Sequence, residues 1–259
     1  MGCSLTFLVK FKVDYLTPHH KILREIVQKG KLKNSLLKLT EAIESETIDN
    51  ESRQLLIPIL ARMLFGRVTA KVGGKSSKDS PAARRVAILS FMTVICKEEK
   101  DFFPFLYLMI RCFIPRTEKI QVIESYGSTN RSDLKDGLMR IRSANLTSLS
   151  SPVIEGFLHL LQSVLTQFGH KVIFWIPQLT HIIIEICKLA MITHEKPVSK
   201  NEDSLLGTDE VTTSEHLRRS SIRTLCFQRL SNIFALFGST VNFVPFSKSM
   251  WYALQPSLD

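Results

Sequence analysis

The sequence predicts an all-α protein, a HEAT-like α-solenoid segment of paired antiparallel helices. Apolar residues recur at one-turn helical spacing along most of the chain. Short polar or glycine-containing gaps separate successive helical stretches, and no strand alternation survives past the amino end. Pair follows pair without a fixed signature, which suits HEAT-like repeats of roughly 40–47 residues that diverge while keeping two stacked helices. A compact helical bundle is the alternative, and the long interruptions leave it open.

Residues 1–16 form a short apolar and basic segment without a clear type. Thr17-Pro18 opens a helix through Gln28 that Gly30 ends, and a second runs from about Leu32 to Glu44 with Leu32, Leu36, Leu37, Leu39 and Ile43 inward. A helix from about Asn50 carries a stripe of Leu55, Leu56, Ile59, Leu60, Met63 and Leu64, with Arg53, Arg62 and Arg67 outside it and Gly66 as its stop. A polar connection from Val72 to Ser77 leads to Ser80-Pro81, a cap residue followed by proline at the first helical position. The helix from Pro81 to Cys96 should turn Val86, Leu89, Met92 and Cys96 inward, and a short aromatic helix spans Asp101 to Ile114.

Periodicity fades from Pro115 to Ser150. A helix then runs from Ser151 to Phe168, striped by Ile154, Phe157, Leu161, Val164, Leu165 and Phe168 and stopped by Gly169. Another spans Ile176 to Ile192. The last runs from about Ser214 to Phe237, with Ile222, Leu225, Leu230, Ile233 and Phe237 inward and Arg218, Arg219, Arg223 and Arg229 mostly outward. Four parts are expected: a helical segment at 1–48, a helical hairpin with a basic loop plus the following helix at 49–114, an exposed connection at 115–150, and a second group of paired helices at 151–259. The last contains an acidic, polar loop at 195–213 that is expected to be disordered.

Basic residues outnumber acidic ones for a net charge of +10, which favours an acidic partner such as nucleic acid, an anionic membrane or an acidic protein surface. The 5 cysteines are isolated and three lie in apolar helical patterns, a usage that suits a reducing compartment and argues against structural zinc. The apolar run from Val172 to Ile192 holds Pro177, Gln178, His181, Glu185 and Lys188, each costly in lipid, so it reads as a buried helix of a soluble protein and no membrane partner is expected. A rival comes from the amino end, where Met1-Gly2-Cys3-Ser4-Leu5-Thr6 fits the N-myristoylation pattern and would make the chain a membrane-associated helical adaptor.

Catalytic signatures are missing. Gly73-Gly74-Lys75-Ser76 resembles the end of a phosphate-binding P-loop, but Thr69 occupies the required first glycine and a helix stands where a buried strand is needed. The histidines form no ligand pair with a carboxylate on one helical face, and neither nucleophile elbow nor HExxH occurs. The chain is therefore read as no enzyme, with no cofactor, metal or small-molecule substrate. From Arg53 to Arg85 there are eight basic residues against one acidic. Arg62, Arg67, Lys71, Lys75, Lys78, Arg84 and Arg85 gather there, the clustering that phosphate neutralisation or an acidic protein partner requires. A solvated charge run that keeps a helical surface soluble is the plainer reading. A docking solenoid that binds acidic proteins without RNA is another.

The stretch Leu56-Ile57-Pro58-Ile59-Leu60-Ala61-Arg62-Met63-Leu64-Phe65-Gly66-Arg67 resembles a segment of the large HEAT-repeat component 20 of the small-subunit processome, the down-regulated-in-metastasis family. The resemblance continues through Lys71, Gly74-Lys75, Ser77 and Ala83-Arg84-Arg85-Val86-Ala87-Ile88-Leu89, more weakly into Glu98-Glu99, and later at Ser220-Ser221-Ile222-Arg223 with Gln228-Arg229-Leu230. Residues 1–45 carry no recognised segment. The resemblance implies a non-catalytic nucleolar scaffold in pre-rRNA processing, associated with pre-ribosomal RNA, the small nucleolar ribonucleoprotein and other processome proteins. Members of that family are many times longer, so the chain is expected to be a fragment or truncated isoform.

Overall fold

The computed structural model describes residues 17–28, 30–69, 80–113, 149–192 and 209–248, with the backbone alone at 192 and 209–218. Among these residues the regular structure is helical and no strand occurs. The elements are α1 (His20–Val27), α2 (Leu32–Glu44), α3 (Asn50–Thr69), α4 (Pro81–Ile95), a 3-10 turn (Glu99–Phe102), α5 (Phe103–Ile110), α6 (Ser151–Phe168), a 3-10 stretch (Gly169–Trp175), α7 (Ile176–Ile192) and α8 (Asp209–Phe237). The amino-terminal segment with its acylation-like hexapeptide, the interior of the 115–150 connection and residues 195–208 lie outside the described residues.

Several ends follow from local chemistry. Gly30 and Gly169 take positive φ, +80° and +52°, where a side chain would be strained. The Ser80 hydroxyl accepts from the Ala83 backbone N–H at 3.0 Å, and Pro81 supplies a preset φ at the first position of α4. Asp49 caps α3 by accepting from the Ser52 N–H at 2.7 Å, and these hydrogen bonds hold its carboxyl below the usual carboxylate range.

Several boundaries differ from the sequence reading. The aromatic helix α5 ends at Ile110, short of the expected Ile114. Helix α3 does not stop at Gly66 but runs on to Thr69. One interior glycine costs about 1 kcal/mol against alanine, which packing of Met63, Leu64 and Val68 outweighs. Helix α8 begins at Asp209, before the expected Ser214.

The chain divides into two compact units, Met1–Met109 with Thr166–Val172, and Ile110–Leu165 with Ile173–Asp259. In the first unit α1 packs on α2 and α3 on α4, while α1 also meets α3 and α2 meets α4. Like helices of successive pairs are thus neighbours, an arrangement compatible with a solenoid. Phe102 and Phe105 close on Phe168, with ring centroids 4.7 and 6.0 Å apart. Lys171 Nζ donates to the Thr93 carbonyl at 2.9 Å.

A buried ion pair locks the first unit. Arg53 is 2% exposed, against the expectation that it lies outside the stripe. Its Nη1 donates to Asp101 Oδ2 at 3.0 Å and to the Ile95 carbonyl at 2.5 Å, while Nε and Nη2 donate to Asn50 Oδ1 at 3.1 and 2.8 Å. Asp101 Oδ2 also accepts from the backbone N–H groups of Lys97 and Glu98, at 3.0 and 3.1 Å. The start of α3 is thereby fastened to the end of α4 and to the 3-10 turn.

The inward faces are partly as expected. Leu56, Leu60, Met63 and Leu64 are buried on α3, but Leu55 is 46% exposed and Ile57 is buried in its place. Val86 on α4 and Leu37 on α2 are likewise exposed, while Ile88, Phe91 and Ser35 are buried. The buried arcs are rotated because α3 touches both α1 and α4, and α4 touches both α2 and α3.

In the second unit α7 and α8 pack along each other. All six expected inward residues of α6 are buried. Arg229 of α8, expected outward, is buried: its Nε donates to the Leu158 carbonyl at 2.9 Å, and its Nη1 and Asn232 Nδ2 both donate to Gln162 Oε1. The stretch Ser151–Met191 is long and apolar enough to cross a bilayer by length and composition, yet most of it is buried inside the protein, as core helices are.

Two stability predictions follow from this packing. Leu60→Ala should cost about 2–5 kcal/mol, the usual penalty for a core cavity, whereas Leu55→Ala should stay within about 0.5 kcal/mol. Arg53→Ala or Asp101→Asn alone should cost about 3–5 kcal/mol, because each strands a buried partner. Arg53→Met combined with Asp101→Leu should cost less than the sum of the two single changes. Urea denaturation measures all of these, and equal losses at Leu55 and Leu60 would contradict the orientation of α3.

Candidate nucleic-acid interface

The basic hairpin is built from α3, α4 and the chain between them. Thr69 Oγ1 donates back to the Phe65 carbonyl, four residues earlier in α3, at 3.0 Å. Phe65 sets its ring edge-on to Phe105, with centroids 5.6 Å apart, which pins the last turns of α3 to α5. Helix α3 precedes Gly73-Gly74-Lys75-Ser76, so the strand that a P-loop needs is not what leads into it.

Arg53 joins the start of α3 to the end of α4, and Arg67 near the end of α3 feels the charge of Arg84 in the first turns of α4. The two helices therefore run antiparallel. Of the cations singled out from sequence, Arg67 and Arg84 are brought together and both are half-buried. Arg62 is exposed and lies about 140° around α3 from Arg67, given 3.6 residues per turn. Arg85 is half-buried next to Arg84 in α4. Lys71, Lys75 and Lys78 lie outside the described residues.

The electrostatics of Arg67 are unusual for an arginine. Burial, and after it the like charge of Arg84, lower its affinity for its proton. Its Nε is buried with no hydrogen-bond acceptor, and among the described residues it enters no salt bridge. Arrangements of this kind bind anions: a planar guanidinium fork matches two oxygens of a phosphate or carboxylate.

The remaining polar groups do different work. Cys96 is buried near Asp101, and burial first, then that carboxylate, push its thiol far up, so it is inert. Cys187 and Cys226 hydrogen-bond to each other between α7 and α8. Among the described residues no three His, Cys, Asp or Glu side chains are grouped to hold a metal. Sequence reasoning missed Arg53 and Arg229 as internal anchors, because their partners are distant in the chain.

An all-helical unit of stacked pairs, compatible with a solenoid, is the class that the fold defines. More narrowly, the chain belongs to the family described as U3 small nucleolar RNA-associated protein 20, N-terminal, which matches residues 2–259. The match takes in the first 45 residues that the sequence resemblance left unassigned, apart from Met1. The family is a nucleolar component of ribosome biogenesis associated with the small-subunit processome. No solved structure matches the chain.

Proposed function

We propose that this chain is a non-catalytic scaffold segment in pre-rRNA processing. It presents helix pairs to neighbouring processome proteins and a cationic hairpin to pre-ribosomal RNA or the small nucleolar ribonucleoprotein, in the nucleolus. The family match carries the reading. The stacking of like helices in the first unit supports it, because such stacks extend by adding pairs and display long surfaces rather than a single pocket. The use of buried polar groups supports the non-catalytic part: Arg53 with Asp101, and Arg229 with Gln162, spend their hydrogen bonds on holding helices together. Arg62, Arg67, Lys71, Lys75, Lys78, Arg84 and Arg85 are the side chains assigned to the RNA backbone, through charge and with no reading of bases implied.

Cations that meet phosphates displace condensed counterions, so affinity falls steeply with salt. Changing Lys71, Lys75, Lys78, Arg84 and Arg85 together to alanine should weaken binding to unrelated RNA sequences by similar factors. The slope of log affinity against log salt should flatten by about 2–4 units, if roughly three to five of these side chains each contribute ~0.7–0.9. A salt titration of both proteins checks this, with circular dichroism to establish that the altered chain is folded. An unchanged slope in a folded variant would reject phosphate contact by the hairpin.

A further inference from the structure

The solvent side of α3 is not built like that of α2. On α2 the exposed positions around Leu37 are Lys33, Lys38, Glu41 and Glu44, the ordinary charged face of a surface helix. On α3 the outer positions are Leu55, which is 46% exposed, with Pro58 and Arg62, also exposed, and the half-buried Ile59 and Gly66. Leu55, Ile59, Arg62 and Gly66 follow one another at four, three and four residues. At 3.6 residues per turn this sets them within about 60° of the helix circumference, on the far side of α3 from the buried Leu60 and Leu64. That is the spacing of a seam between two helices. Arg62 is its only charge, and among the described residues Arg62 enters no hydrogen bond or ion pair.

We infer that this face of α3 is a docking seam for one amphipathic helix of a neighbouring protein. The partner sets apolar residues against Leu55 and Ile59 and an aspartate or glutamate against Arg62. The inference rests on the scaffold reading above, names the surface through which a protein is held, and moves Arg62 from the RNA-facing set to the protein-facing one. A helix fits because the seam is narrow and helically spaced, and Gly66 lets the partner's backbone come close at one end. An acid fits because a lone cation covered by an apolar partner would be stranded, whereas a carboxylate placed beside it pairs with the guanidinium fork. An RNA backbone fits poorly, since it asks for several cations in line and here apolar side chains flank a single one. A second copy of this chain fits no better. A twofold pairing of seams would bring Arg62 near its own counterpart and join two chains of net charge +10.

The test uses the full chain in cells with a photo-reactive residue on the seam, Leu55→benzoylphenylalanine, purified with the small-subunit precursor particle after irradiation. Cross-linked peptides are identified by mass spectrometry, and the captured segment is then made as a peptide and titrated against the unaltered chain. It should carry apolar residues four and three apart with an acid among them. Capture alone does not decide; exchange of charge does. Arg62→Glu should weaken the peptide at least about tenfold, the order of a charged hydrogen bond replaced by a repulsion. Replacing the peptide's acid by arginine should weaken it as much against the unaltered chain and restore binding to Arg62→Glu. Leu55→Ala should also weaken it about tenfold through lost apolar contact, while Lys33→Gln on α2 changes nothing. Urea midpoints of the free variants should stay with that of the unaltered chain, because Leu55 and Arg62 are exposed. Arg62→Gln, which should weaken the peptide in the same direction, takes the place of Arg62→Glu if that variant does not fold.

A cross-link to RNA, to residues 1–16 of the same chain or to a second copy would overturn the inference. So would a captured peptide whose affinity ignores the change at Arg62. No cross-link in a particle that contains the chain would overturn it too, and would leave the scaffold reading standing. A chain that never enters the particle would overturn that reading and this inference with it.

Discussion

The buried pair of Arg53 and Asp101 is the constraint on which the first unit depends. Taking two charges out of water costs several kcal/mol per ion, and their attraction repays this when the remaining donors and acceptors are also filled. Here they are filled by Asn50, the Ile95 carbonyl and two backbone N–H groups of the following turn. A hydrophobic pair of similar volume would pack as well but would tolerate sliding. The ion pair does not, because a shift of one residue along α3 would leave a charge unpaired. Its contribution is therefore chiefly the register of α3 against α4.

That register acts at a distance. From Arg53 to Arg67 there are 14 residues, about 21 Å of helix at 1.5 Å per residue. With α4 running back alongside, a peg at one end of the pair determines which side chains meet at the other. Asp49 at the start of α3 and Ser80 at the start of α4 fix where each helix begins, so neither can compensate by fraying. The meeting of Arg67 with Arg84 follows from the peg as much as from their own surroundings.

This explains what could be read from the sequence and what could not. Helix starts marked by Ser80-Pro81 and Ser151-Pro152, and the stop at Gly169, are local signals and were legible. So was the stripe of α6, from Ile154 to Phe168. One-stripe reasoning failed on α3 and α4, where Leu55 and Val86 face solvent and Ile57 and Ile88 do not, because each helix is covered by two neighbours. Arg53 carried no local mark of burial, since its carboxylate partner is 48 residues away. The cationic hairpin was visible as a run of charge, but its division into a half-buried couple and an exposed Arg62 needed the antiparallel packing.

The arginines of this chain also show how burial and charge separate structural roles from binding roles. Lysine is the usual choice for a solvated surface, because its charge stays hydrated at the end of a flexible stem. Arginine is favoured where a charge must be partly buried and still make directed bonds. Arg53 and Arg229 are used in that way and their directed bonds are made within the protein. Arg67 is less deeply buried, and among the described residues its Nε has no acceptor while the charge of Arg84 acts on it.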